Sequence, residues 1–288
     1  MSDQPLCAIT GSSGYVGGCI KTHFCANGWG ILELTRQPKP NSRAIPFQLG
    51  AEISPQVLAG VNALVHCAYD FRPLRWNEIG AVNVDGTRKI LQAAHAAGIG
   101  KIAVISTISA YPGCRSLYGR AKLEIERITL DHGGLAIRPG LVYGNKPGGM
   151  FGKLAAQVRN SSVIPMIGGG ARLHTVHSED LSGFIRRYTS GETKAFPFVL
   201  TAAHERRWAF RELLLEIARG LGKKPTFVPL PWRLAWAGLK SAEACGLRLN
   251  FRSDSLVSLM YQNPNPDLSP NAEAGLACRP LQIEKVQL

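Results

Sequence analysis

Residues 9–18 of the chain read ITGSSGYVGG and stand between an apolar run and a run that is compatible with a helix. This order predicts a strand, a glycine-rich turn and a helix. We expect Gly11 to permit the tight turn, Gly14 to let backbone approach a pyrophosphate and Gly17 to let the helix pack against the strand. The free N–H groups and the dipole at the start of such a helix attract phosphate. The stretch therefore predicts a nucleotide-binding loop.

The composition predicts a globular chain with a substantial core. Its 288 residues are 45% hydrophobic and 18% charged, which suits one large domain or two modest ones. No uninterrupted apolar stretch reaches the length of about 18 residues that a membrane-spanning helix needs, and residues 1–5 lack the basic start of a secretory signal. The seven cysteines are odd in number and form no CxxC pair, so we expect a cytoplasmic location and no zinc site.

The net charge of +13 has two interpretations. The first is a solvated basic surface that also helps to attract a phosphorylated ligand, and the second is binding to nucleic acid or an anionic membrane. The basic residues are scattered, and the densest cluster, 205–207, contains an acid. We favour the first interpretation and predict no nucleic-acid partner.

The end of the second predicted strand bears on the choice of cofactor. A site that selects NAD places an acid there to bond the ribose 2′-hydroxyl. This chain has Thr35 and Arg36 instead, with Lys39 and Arg43 nearby. Arg36 is suited to a 2′-phosphate, which predicts NADP, with NAD as the alternative. The competing interpretation is that Arg36 is only a solvated residue at a strand end.

Further apolar runs and helical periodicities alternate along the chain, which is typical of an α/β fold. His66 closes one of the apolar runs, and we interpret it as a structural residue because nothing near it in sequence completes a catalytic pair. The predicted strands are 6–9, 31–35, 44–49, 63–67, 102–105, 135–137 and 196–201. The predicted helices are 15–27, 83–97, 118–130, 150–158, 181–188, 210–221 and 232–246.

Tyr118 and Lys122 are four residues apart, so on a helix they lie one turn apart on the same face. A cationic Lys122 favours the phenolate and lowers the pKa of Tyr118 from about 10 towards neutrality. A tyrosine tuned in this way is a usable general acid or base. Such a pair is common by chance, and its position after a glycine-rich turn and a polar strand end is what favours a catalytic role.

His177, Glu179 and Asp180 together resemble a set of metal ligands. Their spacing matches none of the standard metal sites. We interpret them instead as the start of a helix, with Ser178 as the cap and the acids in the first turn.

Taken in order, these segments resemble a known family, the extended short-chain dehydrogenases/reductases of the NAD-dependent epimerase/dehydratase type. The resemblance covers nearly all of the first 200 residues and is looser beyond them. The segments that carry it are TGSSGYVGG at 10–18, NVDGTRKILQAA at 83–94, ISTISAY at 105–111, YGRAK at 118–122, IRPGLVYG at 137–144 and VHSEDLSGFI at 176–185.

The resemblance implies a Rossmann-type, doubly wound parallel sheet of seven strands with a small C-terminal substrate domain. The dinucleotide-binding domain is expected over 1–145 and 176–202, and the substrate domain over 146–175 and 203–288. Members of the family often form homodimers through the two helices that here include 83–97 and 118–130, so we expect a homodimer.

The resemblance also implies the site. Thr107, Tyr118 and Lys122 match the catalytic group. The positions that match cofactor-binding residues are Gly11, Ser13, Gly14, Tyr15, Val16, Gly17, Arg36, Leu49, Cys67, Ala68, Asn83, Tyr118, Lys122, Pro139 and Val142. Two departures stand out. Gln48 replaces a frequent aspartate near the adenine, and residues 108–109 are Ile-Ser where sugar dehydratases have Asp-Glu, so dehydration lacks its acid and base.

The function implied is hydride transfer between a nicotinamide and a carbinol or ketone carbon. Tyr118 moves the proton, and the expected substrate is a nucleotide-diphosphate sugar handled by an epimerase or a ketoreductase. One alternative is an NADPH-dependent reductase of a small apolar ketone, which the tryptophan-bearing segment 232–246 permits. The other is a nucleotide-binding scaffold without turnover. A sugar pocket needs arginines for phosphate, and the candidates are Arg172, Arg233, Arg248 and Arg252.

Overall fold

The computed structural model describes residues 4–40, 42–146, 148–193, 198–247 and 251–283. The strands are β1 (Leu6–Thr10), β2 (Gly30–Thr35), β3 (Ala44–Pro46), β4 (Ala63–His66), β5 (Lys101–Ile105), β6 (Leu135–Pro139), β7 (Leu141–Tyr143), β8 (Val163–Met166), β9 (Arg172–Leu173), β10 (Thr175–His177), β11 (Val199–Ala202), β12 (Trp208–Ala209) and β13 (Thr226–Pro229). The helices are α1 (Tyr15–Ala26), α2 (Trp76–Ile79), α3 (Asp85–Ala96), α4 (Leu117–Asp131), α5 (Gly149–Asn160), α6 (Ser178–Thr189), α7 (Phe210–Gly220), α8 (Trp232–Ala244), α9 (Ser253–Met260) and α10 (Pro270–Glu273).

Seven of the described strands form one sheet in the order β11-β6-β5-β4-β1-β2-β3. Every pairing in it is parallel, and Ile9, for example, lies beside Glu33 on one side and Val65 on the other. The order reverses between β1 and β4, which is where a doubly wound sheet opens a crevice at the carboxyl ends of its strands. The predicted Rossmann-type fold is confirmed.

Both faces of this sheet are covered, and the strand sequences are apolar at successive positions for that reason. Cys7 and Ile9 pack into the core beneath α1 and α6, while Leu6 and Ala8 pack into the core beneath α3 and α4. Successive side chains of a strand point to opposite faces, so a continuous apolar run fills both layers at once.

A third apolar cluster lies in the segments that the sequence assigns to the substrate domain. Phe151 and Leu154 of α5 pack there with Trp208 and with Leu213 of α7. The chain then returns to the first core, where Leu276 is buried beside sheet residues. In the described part of the chain, no helix combines the length and the apolar character that crossing a bilayer requires.

Several element boundaries differ from the sequence predictions. The third strand ends at Pro46. The helix predicted from residue 83 begins at Asp85, because residues 83 and 84 belong to a π-helical turn, Gly80–Val84. Of the strand predicted over 196–201, residues 196 and 197 lie outside the described residues. The cap of α6 is His177, whose Nδ1 accepts from the Glu179 N–H at 3.3 Å. The prediction of Ser178 as the cap was wrong, because the helix already begins at that residue.

His66 joins two neighbouring strands and a helix from a fully buried position. Its Nδ1 lies 2.8 Å from the Thr10 hydroxyl, and its Nε2 lies 3.0 Å from the Thr87 hydroxyl. The Thr87 hydroxyl donates to the Asn83 carbonyl, so it accepts from Nε2–H, and Nδ1 accepts from Thr10. The imidazole is therefore neutral with both nitrogens satisfied, which supports the structural role expected from the sequence.

This arrangement makes stability depend on pH. Burial first, and the nearby Lys122 charge second, lower the pKa of His66 from 6.5 to about 3. The unfolded chain takes up the proton below about pH 6.5, whereas the folded chain does not do so until near its own lowered pKa. The stability that neutral His66 contributes is fully present above the pKa of the unfolded chain. It falls as the pH drops from that pKa towards the lowered pKa of the folded chain. At about pH 5 the loss amounts to about 2 kcal/mol of unfolding free energy.

We expect His66→Gln to remove that part of the pH dependence. Urea unfolding of wild type and variant at neutral and at acidic pH measures it, and His95→Gln, a change at an exposed histidine, is the control. A variant that keeps the full wild-type drop on acidification would show that His66 is not its source.

Candidate active site

The carboxyl edge of the sheet gathers most of the residues singled out by the sequence. The chain leaves each parallel strand at the same edge, so segments far apart in sequence meet there. The strand that each one follows is clear from the bounds: the glycine-rich turn follows β1, Arg36 follows β2, Leu49 follows β3, Cys67 and Ala68 follow β4, Thr107 follows β5, and Pro139 ends β6.

The glycine-rich turn packs directly on the loop that follows β4. Gly11 has a φ of +68°, and a Cβ on it would lie 2.8 Å from the Ala68 nitrogen. A Cβ on Gly17 would lie 2.3 Å from the Gly11 carbonyl oxygen. Both distances are shorter than side chains tolerate, so these two positions require glycine for packing alone. The turn sits at the point where the strand order reverses.

The first turn of α1 is open at this edge. Its N-cap is Gly14, which offers no side-chain cap, and no acid lies in the first turn. The leading N–H groups of Tyr15, Val16 and Gly17 have no intrahelical acceptor by geometry. An uncapped helix start beside a glycine turn fits a pyrophosphate group. Ser13 is exposed on the same turn.

Neighbouring turns line the same edge. Arg36 is exposed just past β2. The pKa of Asp70 is lowered first by the hydrogen bonds and the charge of Arg72, and to a smaller extent by the charge of Arg36. The Cys67 and Ala68 N–H groups both donate to the Thr10 hydroxyl at 3.1 Å. These backbones are therefore held in place before any ligand arrives.

Leu49, Asn83 and Val142 are also placed by the fold. The Leu49 side chain lies against Gly86, where a Cβ would come within 3.0 Å of it. The Asn83 amide bonds the Asp70 backbone twice, at 2.7 and 3.0 Å, so it supports the loop after β4. Val142 is buried in the β7–β10 ladder.

Thr107, Tyr118 and Lys122 converge beyond the ends of β5 and β6. Tyr118 and Lys122 lie on α4, and the Thr107 side chain lies close enough to the Tyr118 phenol to lower its pKa. The Lys122 Nζ lies 6.0 Å from the centre of the Tyr118 ring. It donates to the Ile105 carbonyl at 2.6 Å.

The electrostatics of this group differ from the sequence prediction. Burial raises the pKa of Tyr118 to about 12, and the Thr107 side chain offsets only part of that effect. Burial also lowers the pKa of Lys122 to about 8, opposed by Cys67 and Glu126. The prediction of a lowered Tyr118 pKa was wrong for this arrangement, because Lys122 is directed to the Ile105 carbonyl and desolvation dominates.

Two aromatic rings that the sequence analysis missed cover Tyr118. Tyr69 meets it edge-on with ring centres 4.9 Å apart, and Phe71 lies 5.5 Å away. Both belong to the loop after β4. Their position after a strand at the ligand edge was the available signal, but nothing in the sequence shows that this loop folds over α4.

A C-terminal segment holds that loop in place. Within the loop itself, the Arg72 guanidinium donates to the Asp70 carboxylate at 2.9 Å. The Arg252 guanidinium donates to the Phe71 carbonyl and, at 3.1 Å, to the Pro73 carbonyl. The separation of about 180 positions between these partners makes the contact invisible to any local sequence pattern.

Asp254 closes the start of the helix that carries Tyr118. Its two carboxylate oxygens accept from the Leu117 N–H at 2.8 Å and the Tyr118 N–H at 3.0 Å. Ser116 accepts from the Gly119 N–H at 3.0 Å. The first turn of α4 is therefore fully satisfied, and a negative charge sits at its positive end.

Together these features form a candidate site for a dinucleotide at the carboxyl edge of the sheet. The comparisons agree, since residues 7–189 match the model of the NAD dependent epimerase/dehydratase family. The chain belongs to that family and is an NAD(P)-dependent enzyme of the extended short-chain dehydrogenase type.

Two curated relatives and two solved structures are similar to this chain. A ceramide reductase of Caulobacter vibrioides is 27% identical over 78% of this chain and 73% of the relative. A 3 beta-hydroxysteroid dehydrogenase/Delta 5-->4-isomerase of Mycobacterium tuberculosis is 25% identical over 62% of this chain and 58% of the relative. MoeE5 in complex with UDP-glucuronic acid and NAD has a TM-score of 0.73, with 18% identity over 97% of this chain and 96% of that chain. A UDP-N-acetylglucosamine 4-epimerase from Bacillus cereus has a TM-score of 0.66, with 17% identity over 89% of this chain and 98% of that chain.

We expect Asp254→Ala to destabilise the protein by about 1–2 kcal/mol, because two N–H groups at the start of α4 lose their acceptor and its charge. Asp254→Asn keeps one acceptor oxygen and should cost about half as much. Urea unfolding of both variants measures the effect. The control is Asp267→Ala, an exposed aspartate that bonds only Ser269 in its own loop. Equal stability of Asp254→Ala and the control would remove Asp254 as the cap.

Proposed function

We propose that this protein is a nicotinamide-dependent reductase that interconverts a ketone and a secondary alcohol on an apolar substrate. The nicotinamide supplies or accepts the hydride when bound. Tyr118 donates the proton to the carbonyl oxygen as that oxygen gains charge, and Thr107 orients the same oxygen. Lys122, held by the Ile105 carbonyl, keeps a positive charge behind the phenol.

The observation that carries this proposal is the aromatic surround of Tyr118. Tyr69 and Phe71 pack against its ring at 4.9 and 5.5 Å, so apolar surface flanks the reacting position. Arg252, a candidate for binding phosphate, is committed instead to the carbonyls of Phe71 and Pro73. Apolar walls around one proton donor suit a hydrocarbon-rich ketone better than a diphosphate.

The protonation state of Tyr118 fits the role of proton donor. A phenol with its pKa raised to about 12 is protonated at neutral pH and can give its proton to a developing alkoxide. Alcohol oxidation would begin from the phenolate, which burial disfavours here. The named activities of the two curated relatives, on a ceramide and on a hydroxysteroid, support an apolar substrate as well.

For the cofactor, we propose NADP with NAD as the alternative. The open start of α1 would hold the pyrophosphate through backbone N–H groups of Tyr15 and Val16. Arg36, exposed past β2, would pair with a 2′-phosphate. Leu49 and Pro139 would contact the adenine and nicotinamide sides respectively.

The second candidate substrate is a nucleotide-diphosphate sugar. It is favoured by a cavity of about 330 Å³ whose lining includes Arg172, Arg207, Gln262 and Asn263. Two guanidinium groups and two amides in one cavity suit a phosphate-bearing ligand. The two solved structures, a complex with UDP-glucuronic acid and NAD and a UDP-N-acetylglucosamine 4-epimerase, support the same candidate. Arg248, another arginine predicted as a phosphate ligand, lies outside the described residues.

We also propose a cytoplasmic homodimer. All seven cysteines lie in the described part of the chain and are free thiols, as expected in a reducing compartment. The dimer would form through α3 and α4, where Leu130 leaves a large apolar side chain exposed.

We expect Tyr118→Phe to reduce turnover by about a thousandfold or more, because the proton donor is lost while the ring and its packing remain. NADPH binding should be unchanged. Steady-state reduction of a long-chain or steroidal ketone, with fluorescence titration of NADPH, measures both effects. The control is Tyr111→Phe, which removes a hydroxyl that donates to the Tyr261 carbonyl.

Full activity of Tyr118→Phe would refute its role as the proton donor. Turnover of UDP-sugars with none of the ketones would move the second candidate to the front, and no turnover or cofactor binding at all would favour a scaffold.

We expect Arg36→Ala to weaken NADPH binding by about tenfold or more and to leave NADH binding unchanged, because a charge-assisted pair to the 2′-phosphate is lost. Titration of both nucleotides measures this, with Arg159→Ala as a control at an exposed arginine on α5. Mass spectrometry of nucleotide released on denaturation gives an independent readout. Tightly held NAD in stoichiometric amount would contradict the preference for NADP and would favour an epimerase.

A further inference from the structure

Exposed apolar side chains occur on two segments that both contact the start of α9: the loop after β4, and helix α8 with the residues that follow it. The mouth patch is our name for five of these side chains, which are Phe71, Leu74, Leu234, Trp236 and Leu247. Their exposed fractions run from 36% for Trp236 to 65% for Leu234. Single exposed apolar residues are ordinary, but a group of large ones at a site entrance marks a contact surface.

Helix α8 carries much of this surface and is unusual in its packing. It has 13 residues, and none of them is buried. Its inner side is held by the Trp232 ring, 5.9 Å from the ring of Tyr261, and by Glu243. An amphipathic helix ordinarily buries its apolar face in its own core. On α8, Leu234 instead points to solvent.

The two segments of the mouth patch are joined through the start of α9. Arg252 donates to the Phe71 and Pro73 carbonyls, at 3.1 Å in the second case. The next residue, Ser253, donates to the Glu243 carboxylate of α8 from its N–H at 2.8 Å and from its hydroxyl at 2.7 Å. The loop after β4 and helix α8 are therefore both held in place by the start of α9.

Basic residues accompany the mouth patch. Arg75, Arg233 and Lys240 are all exposed on the same two segments. Glu243 accepts from Ser253 of α9 and also lies 3.8 Å from the Lys240 ammonium, which is half exposed beside it. Exposed tryptophan and leucine interleaved with arginine and lysine are the chemistry of a helix that lies at a lipid–water interface.

We propose that the mouth patch docks on the surface of an anionic lipid bilayer. Leucine and tryptophan side chains enter the boundary between headgroups and acyl chains, and the three basic residues pair with anionic headgroups. A second copy of the chain is a poorer occupant, because a two-fold interface would set the same basic residues against each other. The net charge of +13 favours the anionic surface further.

The position of the patch gives docking a consequence. Phe71 belongs to the patch and also packs on Tyr118, 5.5 Å between ring centres. A substrate that leaves the bilayer at this point meets the catalytic phenol without crossing water. This consequence rests on the proposed function, whereas docking itself does not.

Flotation of the full-length protein with vesicles tests the proposal, with no cofactor or substrate present. Binding is expected to vesicles of phosphatidylcholine with phosphatidylglycerol and to weaken strongly with phosphatidylcholine alone or with added salt. Leu234→Glu should lower the partition coefficient by about tenfold or more. The double variant Arg233→Gln/Lys240→Gln should lower it by about fivefold for each charge removed. The control is Leu215→Glu, a matched change at an exposed leucine on α7, which should bind like wild type.

Absence of wild-type binding to the anionic vesicles overturns the proposal, as does equal loss in Leu234→Glu and Leu215→Glu. Light scattering runs in parallel, and a Leu234→Glu variant that dissociates a dimer while vesicle binding persists identifies a second copy as the occupant and overturns the proposal too. Because no turnover is measured, failure here is distinguishable from failure of the proposed reductase activity.

Discussion

The Thr10 hydroxyl is the contact on which the site depends. It accepts from the N–H groups of Cys67 and Ala68 and donates to Nδ1 of His66, all within 3.1 Å. These bonds fasten the end of β4 to the end of β1 at the point where the sheet order reverses. Gly11, whose missing side chain lets Ala68 approach, completes the junction. The loop that carries Tyr69 and Phe71 leaves from this junction, so its direction is set there.

The two helices that frame the site begin in opposite electrostatic states. Helix α1 starts at Gly14 with no side-chain cap, which leaves its first N–H groups for an anion. Helix α4 starts with Asp254 and Ser116 bonded to its first three N–H groups. The same backbone chemistry thus serves binding at one helix and rigid placement of Tyr118 at the other. The start of α4 has no free N–H groups for a phosphate, whereas the start of α1 does.

Burial governs the chemistry near Tyr118 more than the nearby charge does. The aromatic loop and the helix packing desolvate the phenol, while Lys122 is directed to the Ile105 carbonyl. The raised pKa of the phenol and the apolar walls are the features on which the proposed reduction of a hydrophobic ketone rests. The exposed apolar surface at the same entrance is consistent in chemistry with such a substrate. One loop, anchored by Asn83 and Arg252, therefore belongs both to the proposed reaction site and to the proposed docking surface.

The sequence by itself determined the doubly wound sheet, because apolar runs buried on both faces and a glycine-rich turn leave few other architectures. It also singled out Thr107, Tyr118 and Lys122 as candidates, since strand ends and the i,i+4 spacing on a helix are local properties. Element boundaries shifted by a few residues where local turns, such as the π-helical one before Asp85, replaced regular helix. Only the tertiary structure decided what surrounds Tyr118. Asp254 meets its helix across more than 130 positions, and the pKa of a buried phenol depends on every group that excludes water from it. No periodicity encodes contacts of that range.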